Sequence, residues 1–584
     1  MSLFKSSVPY VEPRDDITLP QLVFSETFQH PTKPAEYGNY PCFIEEDTGR
    51  KVYLAEINHR ADALARAFSS LYNILSLYSP NHVDYLALTC ATQKLGGIVA
   101  ALSASLTADE VAYQLTVARP SLLVAHLETL PAALEAAKAV NLPASRIVVL
   151  DGHKSKTKLP YKSVEDLINE KTLPPYKEFT FSKPGEARTK IAFLCFSSGT
   201  TGKPKASPNV SLSFVGDLTG LFLDQAVAIS HYNVISDVIQ FAAFDQGRRL
   251  RPGNIASGVL PFSHIYGLVV NIHIMIYLAM SVVVSAKFNY ERFLQSIDQY
   301  GITHLLIVPP QAVLLVKHPL TKKFKLSSIR MIIAAAAPLS AELTMQLVET
   351  FPDAAIGQGY GMTETAAAVA VYPPWQKVGT PGSAGQLLPG TVAKVVKADG
   401  SLARINEPGE LLVMGPQVTL GYYQNEQATK EAFVDGWLRT GDEVLFKENG
   451  DMFVTDRIKE LIKVKGNQVA PSELEGHLLD HPDVADVAVI GIPDDFAGEV
   501  PLAFVVLKPT TAAEVAKNPA LAEEVKTRLQ KHVSATKTKY KWLTGGVDFI
   551  DAIPKNPSGK ILRRVLKEKA KSLRPPAQQS KAKL

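Results

Sequence analysis

Cysteine is nearly absent from this chain of 584 residues: Cys42, Cys90 and Cys195 are the whole complement. Three thiols cannot form a disulfide framework, and each sits among apolar neighbours, so the expectation is buried, inert thiols in a reducing compartment. Net charge is scarce as well. The 61 Lys and Arg against 57 Asp and Glu leave +4, so no long-range field singles out nucleic acid or an acidic surface as a partner. A long unbroken apolar run is also missing. The longest candidate, Leu268 to Ala286, contains Asn271 and His273 and ends in Ser281-Val282-Val283-Val284-Ser285. That reads as a buried helix running into a buried strand, not a membrane span. Met1 to Pro20 carries acids and prolines without an apolar core, which excludes a secretory signal. There are no repeats at solenoid periods.

What remains is the ordinary balance of a globular protein, 46% hydrophobic and 20% charged, in a chain too long for one compact core. Apolar runs such as Arg146-Ile147-Val148-Val149-Leu150, Ile191 to Phe196 and Ile329 to Ile333 alternate with helical patterns. They read as α/β architecture with mainly parallel sheets. Near Gly409 the texture changes: Glu410 to Met414 and Asp451 to Thr455 look like short strands of a β-rich subdomain. After Asp456-Arg457 come a helix from Pro471, strands over 484–490 and 503–507, and a basic terminal helix, a small α+β domain. The expected division is 1–456 and 457–584.

One segment carries most of the chemistry. Ser197-Ser198-Gly199-Thr200-Thr201-Gly202-Lys203-Pro204-Lys205 follows directly on an apolar strand. Its glycines let the backbone turn tightly with N–H groups toward an anion, and hydroxyls and lysines add donors and charge, a set suited to polyphosphate. It is not a Walker A loop, because only two residues separate its glycines and Pro204 follows Lys203. Alone it could equally be a flexible surface loop. Four further segments join it: Gly357-Gln358-Gly359-Tyr360-Gly361-Met362-Thr363-Glu364 after another strand, ending in a carboxylate able to bind Mg²⁺; Thr440-Gly441-Asp442, an acid on a turn suited to ribose hydroxyls; Asp456 to Pro471 at the domain boundary; and Pro554 to Lys560, a lysine on a Pro/Gly loop.

In this order and at these separations the five segments resemble the adenylate-forming superfamily of acyl-CoA synthetases, luciferases and peptide-synthetase adenylation domains, with the strongest likeness to 4-coumarate–CoA ligases and related acyl-CoA ligases. The likeness runs from about Pro41 to Arg564. It implies an enzyme that uses ATP to turn a carboxylic acid into an acyl-adenylate and then a coenzyme A thioester. It also implies a mobile C-terminal domain turning on a hinge near Arg457 to Lys459. Residue by residue, it assigns Ser197, Ser198, Gly199, Thr200, Thr201, Gly202 and Lys205 to the ATP phosphates. Gln358, Gly359 and Thr363 would contact the nucleotide, and Glu364 the Mg²⁺. Asp442 and Arg457 would bind ribose, with Lys459 alongside, and Gln468 would face the phosphate. Lys463 would support the adenylate, and Lys465 and Gly466 would meet coenzyme A. Lys560 would be the adenylation lysine. His264, Ile265 and Tyr266 would line the acid's entrance, with Ala335 and Ala336 in the acyl pocket.

The chain departs from that pattern twice. Lys205-Ala206 should run directly into Val227-Ala228-Ile229-Ser230-His231, yet the twenty residues Ser207 to Ala226 intervene. The block reads as an unspliced in-frame intron or a mistaken gene boundary; the alternative is a tolerated surface loop, against which its apolar content (Leu218 to Leu223) weighs. The stretch Leu71 to Tyr78 is several residues short of the family's turn. Finally, Ala582-Lys583-Leu584 resembles a peroxisomal address, implying the import receptor as a partner. Transfer to a carrier-protein thiol, or an inactive binding relative crippled by the inserted block, are the competing readings.

Overall fold

The computed structural model describes residues 3–69, 73–170, 172–197, 225–465, 467–494, 496–556 and 559–573. Four sheets organise them. A six-stranded sheet runs in the order 147–150, 122–126, 74–79, 98–103, 191–197, 225–230, parallel except for the last pair. A nine-stranded sheet has a parallel centre built from Ala355–Met362, Met331–Ala334, His304–Ile307, Ile255–Gly258 and Ser281–Val284. Both read as continuous Val/Ile/Ala runs because helices cover both faces. An antiparallel six-stranded sheet forms the β-rich part around Gly409–Met414 and Trp437–Phe446, and a five-stranded sheet follows from Ile462 onward. The architecture is the α/β fold expected from the sequence.

The run Leu268 to Ala286 is buried throughout its helical and strand parts, Tyr266–Ile274 being wound as a π-helix before the strand Ser281–Val284. No described helix is long and apolar enough to cross a membrane. Cys42, Cys90 and Cys195 are free and buried, and burial pushes each thiol up to about 12, so they stay protonated and unreactive. The residues from Ile462 on build clusters of their own, such as Val464, Leu474, Val487, Val505 and Val547, so this part has a separate core.

Two expectations need correcting here. Thr440-Gly441-Asp442 is not a turn between strands but lies within the strand Trp437–Phe446, where the ladder to Gly409–Met414 slips register and Gly441 takes φ +72°. Gln225 and Ala226, expected to belong to the inserted block, are strand residues: they pair with Ser197 and Phe196. The rest of that block lies outside the described residues, as do Leu71, Tyr72 and the Ala582-Lys583-Leu584 tail.

One buried group has a measurable consequence. Asp237, on the helix His231–Asp245, is fully enclosed; its Oδ2 accepts from the Ala368 N–H at 3.3 Å and its Oδ1 meets no partner among the described residues. Burial raises this carboxyl well above its ordinary range, so it folds protonated. A group whose folded pKa is raised favours the fold below its unfolded pKa, and that contribution is lost as pH rises toward the folded value. Asp237→Asn is therefore expected to gain stability over the parent, with a gap that widens as pH climbs above about 4. Unfolding midpoints measured across pH check this; a pH-independent difference would reject it.

Candidate active site

Two strand ends and a loop from the C-terminal part converge on one cavity. The strand Ile191–Ser197 delivers Ser197, whose Oγ donates to Glu364 Oε1 at 3.2 Å. The strand Ala355–Met362 contains most of the Gly357-to-Glu364 motif, which is thus a strand rather than a loop after one, and a short 3₁₀ turn Thr363–Thr365 ends it. Gly361 has to be glycine, since an added Cβ would lie 1.5 Å from the Ala367 carbonyl oxygen across the pairing. Glu364 is 3% exposed and takes a second hydrogen bond from the Tyr422 hydroxyl at 3.0 Å.

Beside it, the Tyr360 hydroxyl donates to Asp442 Oδ2 at 2.6 Å, and Arg457 Nε lies 3.4 Å from Asp442 Oδ1. Burial raises the Asp442 carboxyl, and the Arg457 charge opposes that rise. The strand pairing that sets Asp442 opposite Arg457 explains how residues fifteen apart in sequence meet.

Lys560 enters on a pre-shaped loop. Its N–H donates to Asn556 Oδ1 at 2.8 Å, the Asn556 N–H donates back to its carbonyl at 2.9 Å, and Gly559 holds φ +80° between them. Burial, reinforced by the Arg457 charge, lowers the Lys560 ammonium to about 8, while Glu460, Asp442 and Glu364 pull it the other way. His264 is lowered to about 4 by burial and by the Lys560 charge, so its imidazole is neutral at physiological pH.

Of the residues singled out in the sequence, Ser197, His264, Ile265, Tyr266, Ala335, Ala336, Gly359, Thr363, Glu364, Arg457 and Lys560 line this single cavity of about 170 Å³. Ala336 sits at φ +70°, a conformation costing a residue with a Cβ roughly 1–2 kcal/mol. Lys459, Thr440 and Gly441 line a larger cleft of about 1550 Å³ that shares His264, Arg457 and Lys560 with the cavity.

Others fall elsewhere. Asp442 stands behind the wall, holding Tyr360 and Arg457. Gln358 does not line the cavity: its amide accepts from Leu339 N–H at 2.7 Å and donates to Leu339 O at 3.0 Å, which ties it to the neighbouring loop. Lys463, Lys465 and Gln468 are exposed on the hairpin Ile462–Val469 and do not join the cavity. Ser198, Gly199, Thr200, Thr201, Gly202, Lys205 and Gly466 lie outside the described residues.

Sequence reading missed Tyr422, Asn556 and the Tyr360 hydroxyl. Tyr360 and Asn556 stand inside quoted motifs, where a polar side chain in a glycine-rich strand or turn is a usable signal. Tyr422 carries none, because its partner Glu364 is brought to it only by the fold.

A family model described as AMP-binding enzyme matches residues 30–209 and 225–423, and one described as AMP-binding enzyme C-terminal domain matches 473–560. The match breaks off between 209 and 225. Among curated proteins, the chain is similar to "Probable 4-coumarate–CoA ligase 1" of Dictyostelium discoideum, 34% identical over 508 residues with 85% of each chain covered. It is 30% identical over 571 residues to "Acyl-CoA ligase cm3C" of Cordyceps militaris, covering 91% of this chain and 85% of that one. Among solved structures it resembles the anthranilate CoA ligase AuaEII in complex with anthranoyl-AMP, at a TM-score of 0.79 and 22% identity, with 96% of this chain and 98% of that chain covered.

Proposed function

The chain belongs to the AMP-binding enzyme family and is an ATP-dependent, AMP-forming acid–CoA ligase of the adenylate-forming superfamily; we propose that it activates an apolar monocarboxylic acid, with Lys560 as the adenylating ammonium. The observation that carries the roles is the shared cavity in which Lys560, Arg457, Glu364 and His264 face one apolar recess.

A carboxylate is a poor electrophile and must first attack the α-phosphate of ATP, expelling pyrophosphate. The two anions repel on approach, and a compact ammonium held between them screens both, a preorganised electrostatic role. The neutral His264 beside it leaves the charge at that point to Lys560. Asp442, fastened by Tyr360 and Arg457, would fix the ribose side.

Mg²⁺ fits Glu364. A single buried carboxylate suits a hard cation that keeps waters and substrate phosphates as its other ligands. Glu364 would hold it, oriented by Ser197 and Tyr422, and bound there it would neutralise charge on the departing pyrophosphate.

The second half-reaction needs a thiol where Lys560 now stands. Turning the C-terminal part at Arg457 to Lys459 would withdraw Lys560 and bring in the exposed hairpin that carries Lys465.

The acid class follows from the walls. Phe241, Val270, Leu306, Ile333, Ala335 and Ala370 are apolar. Among the described residues the cavity's charged liners are Glu364 and Arg457, assigned above to the nucleotide, and Lys560, assigned to the junction of the acid's own carboxylate with the α-phosphate. A second carboxylate or an amine on the acid would be buried unpaired, which is costly. Exchange of pyrophosphate into ATP with an acid panel, followed by thioester detection, tests both levels. Cinnamate, phenylacetate or hexanoate should support it at least about a hundredfold better than adipate or 6-aminohexanoate. Equal use of adipate would reject the acid class, and exchange with no acid would reject the assigned chemistry. The Ala-Lys-Leu ending, through the peroxisomal import receptor, supports a peroxisomal location; a fluorescent fusion that stays cytosolic unless those residues are exposed at the terminus tests it.

A further inference from the structure

The helix Pro309–Lys317 touches the C-terminal part at both of its ends. At its start, Val308 and Pro310 lie 3.1 and 3.3 Å from where a Cβ on Gly559 would sit, so the loop beside Lys560 packs closely on it, and at φ +80° glycine is the residue that takes this position without strain. At its finish, Lys317 Nζ donates to the Leu479 carbonyl at 2.7 Å. Leu479 ends the helix Pro471–Leu479, and its carbonyl is among those that a helix leaves without an internal partner. A cation there also meets the negative end of the helix dipole.

Other contacts complete the seam. Gly476 packs on Ser340, the N-cap of the helix Ala341–Thr350, where an added Cβ would meet Ser340 Cβ at 3.1 Å, and Gln346 Nε2 reaches Asp480 Oδ1 at 3.5 Å. Lys317 is half-buried, with Lys508, Asp480 and Asp486 as its charged surroundings.

We propose that Pro309–Lys317 is a docking rail for the acid-activating arrangement, and that Lys317 is the positioning residue that latches the C-terminal part onto it. The rail fixes two points of that part at once: the loop carrying Lys560, and the end of the helix that follows the hinge. Losing one point leaves the loop free to swing from the cavity while the hinge and both cores stay intact. None of these contacts uses a residue of the cavity, so the latch acts only through where Lys560 stands. The inference rests on the reading of Lys560 as the adenylating group and on the turning of the C-terminal part.

The two half-reactions separate the possibilities. Lys317→Met keeps the stem and removes the donor. It should slow acyl-AMP formation about tenfold, the scale of one charged hydrogen bond, while thioester formation from supplied acyl-AMP and coenzyme A is unchanged or faster. Lys317→Arg should recover most of the loss. Gly476→Ala wedges the same seam from the other side and should give the same split, which decides the matter should Lys317→Met fold poorly. Tryptic cleavage at the Arg457-to-Lys459 hinge should quicken in both variants, a readout that needs no activity. Equal loss in both half-reactions, or no loss with unchanged cleavage, overturns the latch; an inactive parent with faster hinge cleavage in the variants would instead reject the chemistry and keep the latch.

Discussion

Lys560→Ala is expected to cut acyl-AMP formation by about a hundred- to a thousandfold, the loss of about 2.7–4 kcal/mol that removal of one preorganised charge commonly brings. Thioester formation from supplied acyl-AMP should survive, because the proposed turn takes Lys560 out of the cavity before the thiol arrives. The geometry sets the size of the effect. Lys560 lines the cavity with Arg457 and Glu364, and two hydrogen bonds to Asn556 hold its backbone, so the lysine is presented to the cavity before substrate binds. Lys560→Arg should not rescue fully, since a planar fork does not replace a point charge between two anions. The parent's pH profile carries the same signature. With the free-enzyme ammonium at about 8, acyl-AMP formation at low substrate should fall as pH rises through that value, because deprotonation removes the charge. This limb should vanish in Lys560→Ala. A variant that makes acyl-AMP at the parent's rate would end the assignment.

The residues around the cavity are legible in the sequence where they stand in short motifs and illegible where the fold spends a side chain elsewhere. Gly359, Thr363, Glu364, Arg457 and Lys560 come from three separate segments and meet in one cavity, because glycine spacing and charge on strand ends survive as local patterns. Gln358 lies in the same motif, yet its amide is consumed by Leu339, a partner that no spacing announces. Asp442 looked like a turn residue because Gly441 precedes it; the glycine in fact marks a slipped register inside a strand. The parallel sheets were visible as two-sided apolar runs, whereas the π-winding of Tyr266–Ile274 was not, since a wholly buried segment has no amphipathic period to read. Lys463, Lys465 and Gln468 stand in strong motifs but outside the cavity: that suits Lys465, expected at coenzyme A, whereas Lys463 and Gln468, expected at the adenylate and the phosphate, stand away from it on an exposed hairpin.

The chain lacking Ser207 to Ala226 should form acyl-AMP at least about a hundredfold faster than the chain that retains the block, the scale of a displaced set of oxyanion-type donors. The argument starts from the ladder. Ser197 pairs with Gln225 and Phe196 with Ala226, so these adjacent antiparallel strands fix where the connection must begin and end. From Ser198 to Asp224 that connection is far longer than the few residues that usually join such neighbours, and the family match resumes only at 225. Removing the block puts Ala206 in the place of Ala226 and Lys205 in that of Gln225, so the register is untouched and one position changes from Gln to Lys. The shortened connection then holds the glycines, hydroxyls and lysines proposed for the phosphates within reach of Ser197, whose hydroxyl already meets Glu364. Closure entropy alone barely distinguishes the two lengths. The predicted difference therefore comes from where the donors stand, and it should appear in ATP affinity and acyl-AMP rate and leave the unfolding midpoint nearly unchanged. Transcripts in which the codons for 207–226 are uniformly retained, together with equal acyl-AMP rates for the two chains, would show the block to be a native loop that the phosphate site tolerates.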